Sequence, residues 1–556
     1  MPHLKKRHEY STSQGLKEVV QESLGTYMYA NAIFFAERLY ALAPTYDSLH
    51  TLAHCYVTSG DVATAYRLLH AHHPFTSPSP VSFSGQSADS GSFSDAPVWK
   101  CQYLYGVTCA MTKRYARGEE VLGELDRYRP CSEVKYWLGV CRQRLNRGNA
   151  DDAFASSAML NPLNFVAYEE HLKLVGAPRD DVARIYSDSN RMPDMGDSEF
   201  HSAPPGVPEP GGTVSENAQR RVKRELIRQY LSPFAAVVSL QWAYKCKEAR
   251  ELLQRESFPE RGSGWAVSAL AMAHFHDGDV ESATKEFARL RQVEPWRLAD
   301  PVLVYYSTAL WQRKDTIAMA SLSQVLIDEM PTSPITLCVA ANAYSLQGEH
   351  KEAVCMLDRA VQVDREFAYA HTLRGYELLS LERKQEAKES FRNAVCIDSN
   401  HYIAYAGLGE LFVRSDSTDQ GRNYFKKAIK INPLPSIMNR YAATYHHCGA
   451  REGLTEALWI YEEAIRLHPT NLGARHKRAE VLIALGRYNE AHDELQRLII
   501  ECPDEAMLHV TLADCFSLMK RRRDAVECYH KAMYLDPHCV RRIKSRLEGL
   551  SMNEQE

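Results

Sequence analysis

Apolar side chains recur with helical spacing along the second half of the chain. Tyr405, Leu408, Gly409 and Phe412 follow the i, i+3, i+4, i+7 pattern of a helix that buries one face. Pro433 then marks the end of the next helix, because proline cannot continue the helical hydrogen-bond ladder. Two helical segments followed by a helix-terminating residue recur several times after residue 249. The pattern predicts antiparallel helix pairs.

Small residues on the second helix of each pair set the length of the repeat. Most successive positions are separated by 34 residues, and two of the intervals carry two extra residues. A small residue at this point lets the two helices approach closely, and a 34-residue period of helix pairs is typical of tetratricopeptide repeats. We therefore predict an all-α fold, a tetratricopeptide superhelix. The small positions are Ala249, Ala283, Ala353, Ala387, Gly421, Ala457, Ala491 and Ala525.

A similar but less regular pattern precedes this array. Ala32 is followed by Pro44, and Ala158 is followed by Pro162, so the first part of the chain should hold about four repeats. Stretches rich in Ser, Gly and Pro interrupt the patterns and predict disorder. The predicted divisions are an N-terminal array over 1–186 with a disordered insertion at 74–97, a disordered linker at 187–219, a C-terminal array over 220–545 and a tail at 546–556.

Composition narrows the classes of function. The 556 residues carry 66 Lys and Arg against 70 Asp and Glu, a formal charge of −4, so no global basic field favours nucleic acid. No run of about 18 apolar residues predicts a membrane span. Fourteen cysteines without CxxC pairs predict a reduced compartment, and we expect nucleus and cytoplasm. The basic run 220–224 fits either a nuclear-import signal or a solvated helix face.

Candidate catalytic motifs are weak. Gly407 and Gly409 resemble the start of a dinucleotide fingerprint, but Phe412 occupies the place of the third glycine and no strand precedes them. The histidines at 70, 72 and 73, and the group 446–448, lack the i, i+4 spacing with a carboxylate that zinc sites favour. No nucleophile elbow accompanies the abundant Ser, His and Asp residues. We predict a protein that is not an enzyme and that needs no metal or cofactor.

A superhelix of this kind offers a concave groove lined by the first helix of each repeat. Setting Ala353, Ala387 and Gly421 at position 20 of their repeats places positions 2, 5, 9, 12 and 13 in the groove. Apolar groups there alternate with an amide, hydroxyls and a carboxylate, which suits an extended peptide with one aliphatic and one cationic side chain. Asn342, Leu346, Thr372, Leu379 and Glu410 fall at such positions, as does Tyr376.

Beyond generic repeat positions, several segments resemble one family. The chain is similar to the tetratricopeptide subunits of the anaphase-promoting complex (cyclosome) known as the cell-division-cycle protein 27 family. Two arrays flanking a linker match the layout of that family. The segments that carry the resemblance are NAIFFAERLYA (31–41), LAHCYVTSGDVATAYRLL (52–69), LNPLNFVAYEE (160–170), NAYSLQGEHKEAV (342–354), DREFAYAHTLRGYELL (364–379) and FRNAVCIDSNHYIAYAGLGELF (391–412).

The resemblance implies a non-catalytic scaffold subunit of a multisubunit E3 ubiquitin ligase that acts in the cell cycle. Such a subunit would homodimerise through its N-terminal repeats, contact other subunits of the complex and bind the C-terminal Ile-Arg tails of co-activators in its C-terminal groove. Asn342 would then hold the carboxylate or main chain of the tail, and Glu377 or Glu410 would face its arginine. Leu346 and Leu379 would wall the isoleucine pocket.

Other functions remain open on the sequence. A sister tetratricopeptide subunit of the same complex would share the fold without receiving the tails, and another peptide-binding adaptor would share the groove. A chaperone cofactor would need Lys and Arg at groove positions 5 and 13, where this chain has Cys338, Leu346 and Thr372. Modification of the insertion at Ser77 and Ser79, each followed by proline, is a further hypothesis.

Overall fold

The computed structural model describes residues 2–73, 96–177, 180–187, 214–446, 450–469, 471–536, 540 and 543–547. The regular elements of these residues are α-helices. They are α1 (Pro2–Gly25), α2 (Tyr29–Leu42), α3 (Tyr46–Thr58), α4 (Val62–Ala71), α5 (Ala96–Met111), α6 (Tyr115–Tyr128), α7 (Ser132–Arg144), α8 (Ala150–Leu160), α9 (Phe165–Val175), α10 (Asp180–Ser187), α11 (Val214–Trp242), α12 (Cys246–Gln254), α13 (Gly264–Asp277), α14 (Val280–Val293), α15 (Val302–Arg313), α16 (Thr316–Glu329), α17 (Pro334–Leu346), α18 (His350–Val363), α19 (Ala368–Ser380), α20 (Lys384–Ile397), α21 (Tyr402–Val413), α22 (Thr418–Ile431), α23 (Pro435–His446), α24 (Arg451–Leu467), α25 (Leu472–Ala484), α26 (Tyr488–Glu501), α27 (Ala506–Leu518) and α28 (Arg522–Leu535).

Small residues bring the paired helices together as the repeat predicted. Ala353, Ala387 and Ala457 are fully buried on the second helices of their pairs. Phe391 of α20 is also fully buried and occupies the space left by two glycines. A Cβ on Gly375 would lie 2.6 Å from its ring, and one on Gly407 would lie 2.4 Å from it. The apparent dinucleotide motif is therefore a helix-packing position, which confirms the interpretation of this segment as the first helix of a repeat.

Turns inside the pairs require a left-handed residue. Gly278, Gly348 and Gly486 have φ between 81° and 86° where one helix passes into the next. Lys314 and Glu382 occupy the same place with φ of 56° and 58°, which a side chain tolerates at some cost. The shared conformation keeps one turn geometry through repeats of different sequence.

The chain divides into two compact units at Trp242. The described residues of unit 1 (1–242) form four helix pairs, α1 to α8, followed by α9, α10 and α11. Unit 2 (243–556) contains α12 and then eight pairs, α13 to α28. The opening of the second array at residue 220 stays a prediction; residues 220–242 belong to α11, which lies within unit 1. The all-α tetratricopeptide fold is as predicted.

Several sequence expectations fall on residues outside this description. They are most of the insertion at 74–97, including Ser77 and Ser79, most of the linker at 187–219, and part of the group 446–448. The side chains of the basic run 220–224 lie outside it as well. A search of the described helices finds none with the length and apolarity needed to cross a membrane.

Candidate peptide-binding cavity

Long aromatic side chains join the start of unit 2 to its middle. The ring of Tyr244 lies edge-on to His276 and to Tyr402, with centroid distances of 5.3 and 5.2 Å. The His276 Nδ1 and the Tyr402 hydroxyl are 3.0 Å apart, across 126 residues of sequence. Unit 2 therefore makes contacts between its first repeat and α21, well beyond the neighbouring repeats that stack in a solenoid.

Main-chain contacts reinforce this closure. Asn432 donates its side-chain N–H to the carbonyl of His276 at 3.0 Å, and the Lys247 ammonium donates to the carbonyl of Leu467 at 2.6 Å. A Cβ on Gly278 would lie 3.4 Å from the Leu434 side chain, so the first turn of the unit also meets the start of α23. α12 and the first helix pair are thus held against the fifth and sixth pairs.

The closure creates a buried aromatic interior. Tyr305 stacks on Tyr369 with a centroid distance of 4.3 Å, and the Tyr369 hydroxyl donates to Thr308 Oγ1 at 3.1 Å. Burial raises the pKa of both phenols, and burial together with the nearby His401 lowers the pKa of His276 to about 3. These groups stay neutral near pH 7, as a water-poor interior requires.

Beside this aromatic interior lies a cavity of about 600 Å³. The first helices of the pairs line it, together with residues of the adjoining turns and the starts of two second helices, α14 and α18. Its volume is in the range of ligand pockets and matches a short peptide segment. The polar and charged residues of its wall are Thr308, Gln312, Asn342, Ser345, His350, Thr372, Glu377, Ser380, Glu410, Arg414, Ser436, Asn439, Arg440 and Asn471.

One wall of the cavity carries a hydrogen-bonded carboxylate. The Trp311 indole N–H donates to Ser345 Oγ at 3.1 Å, and that hydroxyl donates to Glu377 Oε1 at 2.7 Å. The second oxygen of Glu377 lies 2.8 Å from the His350 Nδ1. The Glu377 side chain is 12% exposed, and the described residues give it no arginine or lysine partner. It therefore presents negative charge to the cavity.

The second predicted acid is in a different electrostatic state. Glu410 accepts hydrogen bonds from Arg414 at 2.6 Å and from Arg440 at 2.5 Å. Two guanidinium groups more than neutralise one carboxylate, and each bond is charge-assisted. This part of the wall therefore presents positive charge, and Glu410 is engaged within the protein.

Asn342 is held in place by hydroxyl groups of the preceding repeat. Its Nδ2 donates to Ser307 Oγ at 2.8 Å and to Thr308 Oγ1 at 3.3 Å, and the residue is 6% exposed. Since both N–H groups are used, the amide oxygen is the atom left for a ligand. That oxygen suits a main-chain N–H and cannot bind a carboxylate.

The remaining predicted residues form the apolar and hydroxyl parts of the wall. Tyr376 donates to the carbonyl of Ile403 at 3.1 Å, and burial raises its pKa to about 12. Thr372 donates to the carbonyl of Ala368 at 3.1 Å, and Leu379 is buried beside them. Leu346 does not line the cavity: it is partly buried and packs on the core between α13 and α19. Its position 13 lies at the end of α17, where the helix meets that core.

Sequence reasoning missed part of this wall. Carrying the repeat register one unit back places Met319 at position 20 and Trp311 at position 12, so the signal for Trp311 was available. Asn439 and Arg440 lie on α23, whose pair carries two extra residues that shift the register. His350 begins a second helix, a position the groove rule does not include. Among the described residues no group of three metal-ligating side chains is found.

Three family models match parts of the chain. The model described as anaphase-promoting complex, cyclosome, subunit 3 matches residues 25–81. The tetratricopeptide repeat model matches 368–401 and 402–433, which are the pairs α19 with α20 and α21 with α22. A model described as bacterial transcriptional activator domain matches 439–536, where the structure has helix pairs α23 to α28.

Curated relatives carry the same subunit name. The chain is 32% identical over 330 residues to the anaphase-promoting complex subunit 3 of Schizosaccharomyces pombe, covering 59% of this chain and 49% of that protein. It is 30% identical over 318 residues to the cell division cycle protein 27 homolog B of Arabidopsis thaliana, covering 57% and 42%. The chain thus spans about half the length of these relatives.

A solved structure supports the fold. A chain of the crystal structure of the APC/C hetero-tetramer Cut9-Hcn1 matches with a TM-score of 0.60 over 94% of both chains, at 14% identity. The relatives are named as subunits of a complex, which agrees with the prediction of a protein that is not an enzyme. The chain therefore has a tetratricopeptide-repeat fold and is similar in sequence to proteins named anaphase-promoting complex subunit 3 and cell division cycle protein 27 homolog.

Proposed function

We propose that this protein is a non-catalytic scaffold subunit of an anaphase-promoting complex, a multisubunit E3 ubiquitin ligase. In this role unit 2 binds the C-terminal Ile-Arg tail of a co-activator, and unit 1 mediates homodimerisation. The names of the relatives support membership in that complex. The charge distribution in the cavity of unit 2 supports a peptide with a cationic end.

The observation that carries the proposal is the state of Glu377. Its carboxylate lies at the cavity wall with a histidine and a hydroxyl as its described partners. An arginine side chain entering the cavity would form charge-assisted hydrogen bonds with this carboxylate in place of His350. Glu410 is already paired with two arginines, so we assign the recognition of the tail arginine to Glu377.

The groups around Glu377 suit the other parts of an Ile-Arg tail. Leu379, Ile403 and the exposed part of Trp311 give apolar surface for an isoleucine. The Asn342 oxygen accepts a main-chain N–H, and Arg414 and Arg440 supply positive charge for the terminal carboxylate. The role of Asn342 is therefore with the main chain, one of the two roles that the family resemblance implied.

The experiment is a calorimetric titration of the full chain with a peptide ending in Ile-Arg. Glu377→Gln keeps the shape and the hydrogen-bond acceptor but removes the charge, so we expect about tenfold weaker binding, in line with the strength of a charge-assisted hydrogen bond. Glu410→Gln is the matched control, and its effect should be several times smaller. Equal losses in the two variants would contradict the assignment.

Controls on the peptide separate charge from shape. A peptide that ends in Ile-Gln keeps the length of the tail and loses its cation, so its affinity should fall for the wild-type chain and change little in Glu377→Gln. A wild-type chain that does not distinguish the two peptides would contradict the proposed function itself.

Homodimerisation is supported by exposed apolar surface in unit 1. Tyr27, Met28 and Phe34 are 78%, 56% and 48% exposed at the turn from α1 to α2 and on α2. Apolar residues clustered in this way on a surface mark protein contacts. Light scattering of the full chain at micromolar concentration should give twice the mass of one chain, and a monomeric mass would contradict this part of the proposal.

A further inference from the structure

The second helices of unit 2 expose a group of cations. With Ala387 and Gly421 at repeat position 20, positions 22, 25, 26 and 29 share one face of α20 and of α22, because they are spaced i, i+3, i+4 and i+7. These positions hold four cations and one acid, and all of their side chains are exposed: Glu389, Arg392, Asn393, Cys396, Asn423, Lys426, Lys427 and Lys430. The four cations are the basic patch.

The lysines of the patch are spaced unfavourably for the helix alone. Lys426 and Lys430 are four residues apart on α22, and like charges at that spacing destabilise a helix. The one acid of α22, Asp419, forms its ion pair with Arg422 at 3.0 Å. Within the part of the chain that the structure describes, neither lysine has an acid at ion-pair distance. Helix α22 therefore keeps positive charge available for a partner.

The acids of the following second helix are already engaged. Glu462 and Glu463 are positions 25 and 26 of α24, the same positions that Lys426 and Lys427 hold on α22. Glu462 accepts a hydrogen bond from Arg478 at 3.3 Å, and Glu463 accepts one from the Nε of Arg466 at 2.8 Å. The basic patch is therefore not neutralised from this side.

An exposed tryptophan lies on the same α24. Trp459 is position 22 of its repeat, its side chain is 63% exposed, and it stacks on no other ring of the described residues. Exposed tryptophan is enriched among the residues that carry most of the affinity of protein contacts. Helices α22 and α24 both pack on α23, so they are at most two packing distances apart, about 18 Å. An extended segment spans that distance with about six residues.

We propose that the basic patch and Trp459 bind an acidic segment of a partner protein, one that carries a large apolar side chain within about six residues of its carboxylates. The carboxylates pair with the lysines of α22, and the apolar side chain packs on the indole. Nucleic-acid sites use longer runs of cations than these four, so the charge pattern favours a protein segment. None of these side chains lines the cavity, and the inference does not rest on the proposed function.

The test uses the full chain and a fluorescently labelled peptide with an amidated end. The peptide has one central leucine, four glutamates on each side of it, and glycine and serine elsewhere. A second peptide replaces the leucine by serine, and a third replaces the glutamates by glutamine. Fluorescence polarisation should show the leucine peptide binding about fivefold more tightly than the serine peptide and the glutamine peptide not binding.

Two variants assign the contacts. Lys426→Gln together with Lys430→Gln should weaken binding of the leucine peptide about fivefold, since exposed ion pairs are individually weak. Trp459→Ala should weaken the leucine peptide to the affinity of the serine peptide and leave the serine peptide unchanged. Lys427 is kept, because its ammonium lies over the rings of Tyr405 and Tyr424. The melting temperature should not change in either variant, since the three replaced side chains are exposed.

The controls separate the patch from net charge and from the cavity. Lys285→Gln together with Lys351→Gln makes the same change of charge on exposed positions of α14 and α18 and should not alter binding. An excess of a peptide ending in Ile-Arg should not displace the leucine peptide.

Each outcome decides the inference. A wild-type chain that does not bind the leucine peptide, or that binds it no better than the serine peptide, overturns the inference. Equal losses in the two lysine double variants overturn it, and so does displacement by the Ile-Arg peptide. An oligothymidylate of about fifteen nucleotides that binds more tightly than the leucine peptide, and that loses affinity in the Lys426 and Lys430 variant, overturns the assignment to a protein segment.

Discussion

The two units are built from the same helix pair but connect their repeats differently. In unit 1 the backbones pack between helices close in sequence, and Tyr105 stacks on Tyr66 of the preceding pair with a centroid distance of 5.7 Å. Unit 2 has the same neighbour packing and adds side-chain contacts across 126 to 220 residues. The aromatic residues Tyr244, His276 and Tyr402 make that closure.

The comparison indicates how a solenoid gains an interior. A repeat array alone is stabilised by each repeat and its neighbours, and its surface stays open. When the first pair contacts the fifth, the side chains between them face one another across an enclosed space. In unit 2 that space is the cavity with Asn342 and Glu377 on its wall. The closure is therefore a condition for the cavity that we propose as the peptide-binding site.

The largest expected effect on stability comes from removing one aromatic ring in each unit. One ring belongs to the long-range closure of unit 2, and the other belongs to the packing of neighbouring pairs in unit 1. Tyr402→Ala in unit 2 and Tyr105→Ala in unit 1 both empty a buried position, so each should lower the free energy of unfolding by about 3 to 5 kcal/mol. Hydrogen exchange should separate them. Tyr402→Ala should reduce amide protection in α13 as well as α21, and Tyr105→Ala should affect only helices near α5. Unchanged protection of α13 would mean that the closure contributes nothing to stability.

A second pair of variants makes the same substitution in two settings. Gly407→Ala places a Cβ 2.4 Å from the buried Phe391 ring, so it should destabilise unit 2 by up to about 3 kcal/mol. Gly123→Ala on α6 of unit 1 meets no atom within 4 Å and should stabilise its helix by about 1 kcal/mol. Urea unfolding of the two variants measures the difference. A change in unfolding free energy of the same sign in both variants would contradict the close packing of Phe391 against Gly407.

The smallest expected effect concerns pH. Burial holds the pKa of His276 at about 3, below its ordinary value of 6.5. Between these two values the histidine is protonated in the unfolded chain and neutral in the folded chain. The stabilisation by neutral His276 is complete above about pH 6.5 and is lost progressively as the pH falls toward 3. At pH 5 the loss is about 2 kcal/mol.

Histidine variants assign this pH dependence to one unit or the other. His276→Gln should flatten the decline of amide protection in unit 2 between pH 7 and pH 5. In unit 1, burial lowers the pKa of His50 to about 4, so His50→Gln should flatten the decline there and leave unit 2 unchanged. A His276 variant with the slope of the wild-type chain would show that this histidine is not held neutral.

The sequence predicted the features that repeat. A 34-residue spacing predicts the helix pairs, because the small residue at each second helix is required by the packing itself. The same register placed Thr372, Tyr376 and Glu410 on the groove side, and the structure has all three on the cavity wall. Leu346 was also placed on the groove side by this register, but in the structure it packs on the core at the end of α17.

The features that do not repeat were not predicted. The contact between His276 and Tyr402 depends on the superhelical curvature summed over several pairs, which no single repeat encodes. The difference between Glu377 and Glu410 depends on Arg440, which α23 brings from a pair with two extra residues. The boundary between the units at Trp242 depends on the contacts that α11 makes in the folded chain.

The closure of unit 2 also has a consequence for the order of events during synthesis. Lys247 cannot form its hydrogen bond until the carbonyl of Leu467, 220 residues later in the chain, has been synthesised. At a translation rate of about 5 to 20 residues per second, this delay lasts about 10 to 40 seconds. Tyr244 and His276 lack their partner Tyr402 for the earlier part of this delay, and their apolar surface is exposed until it emerges. The first repeat of unit 2 therefore completes its contacts only after most of the unit has been synthesised.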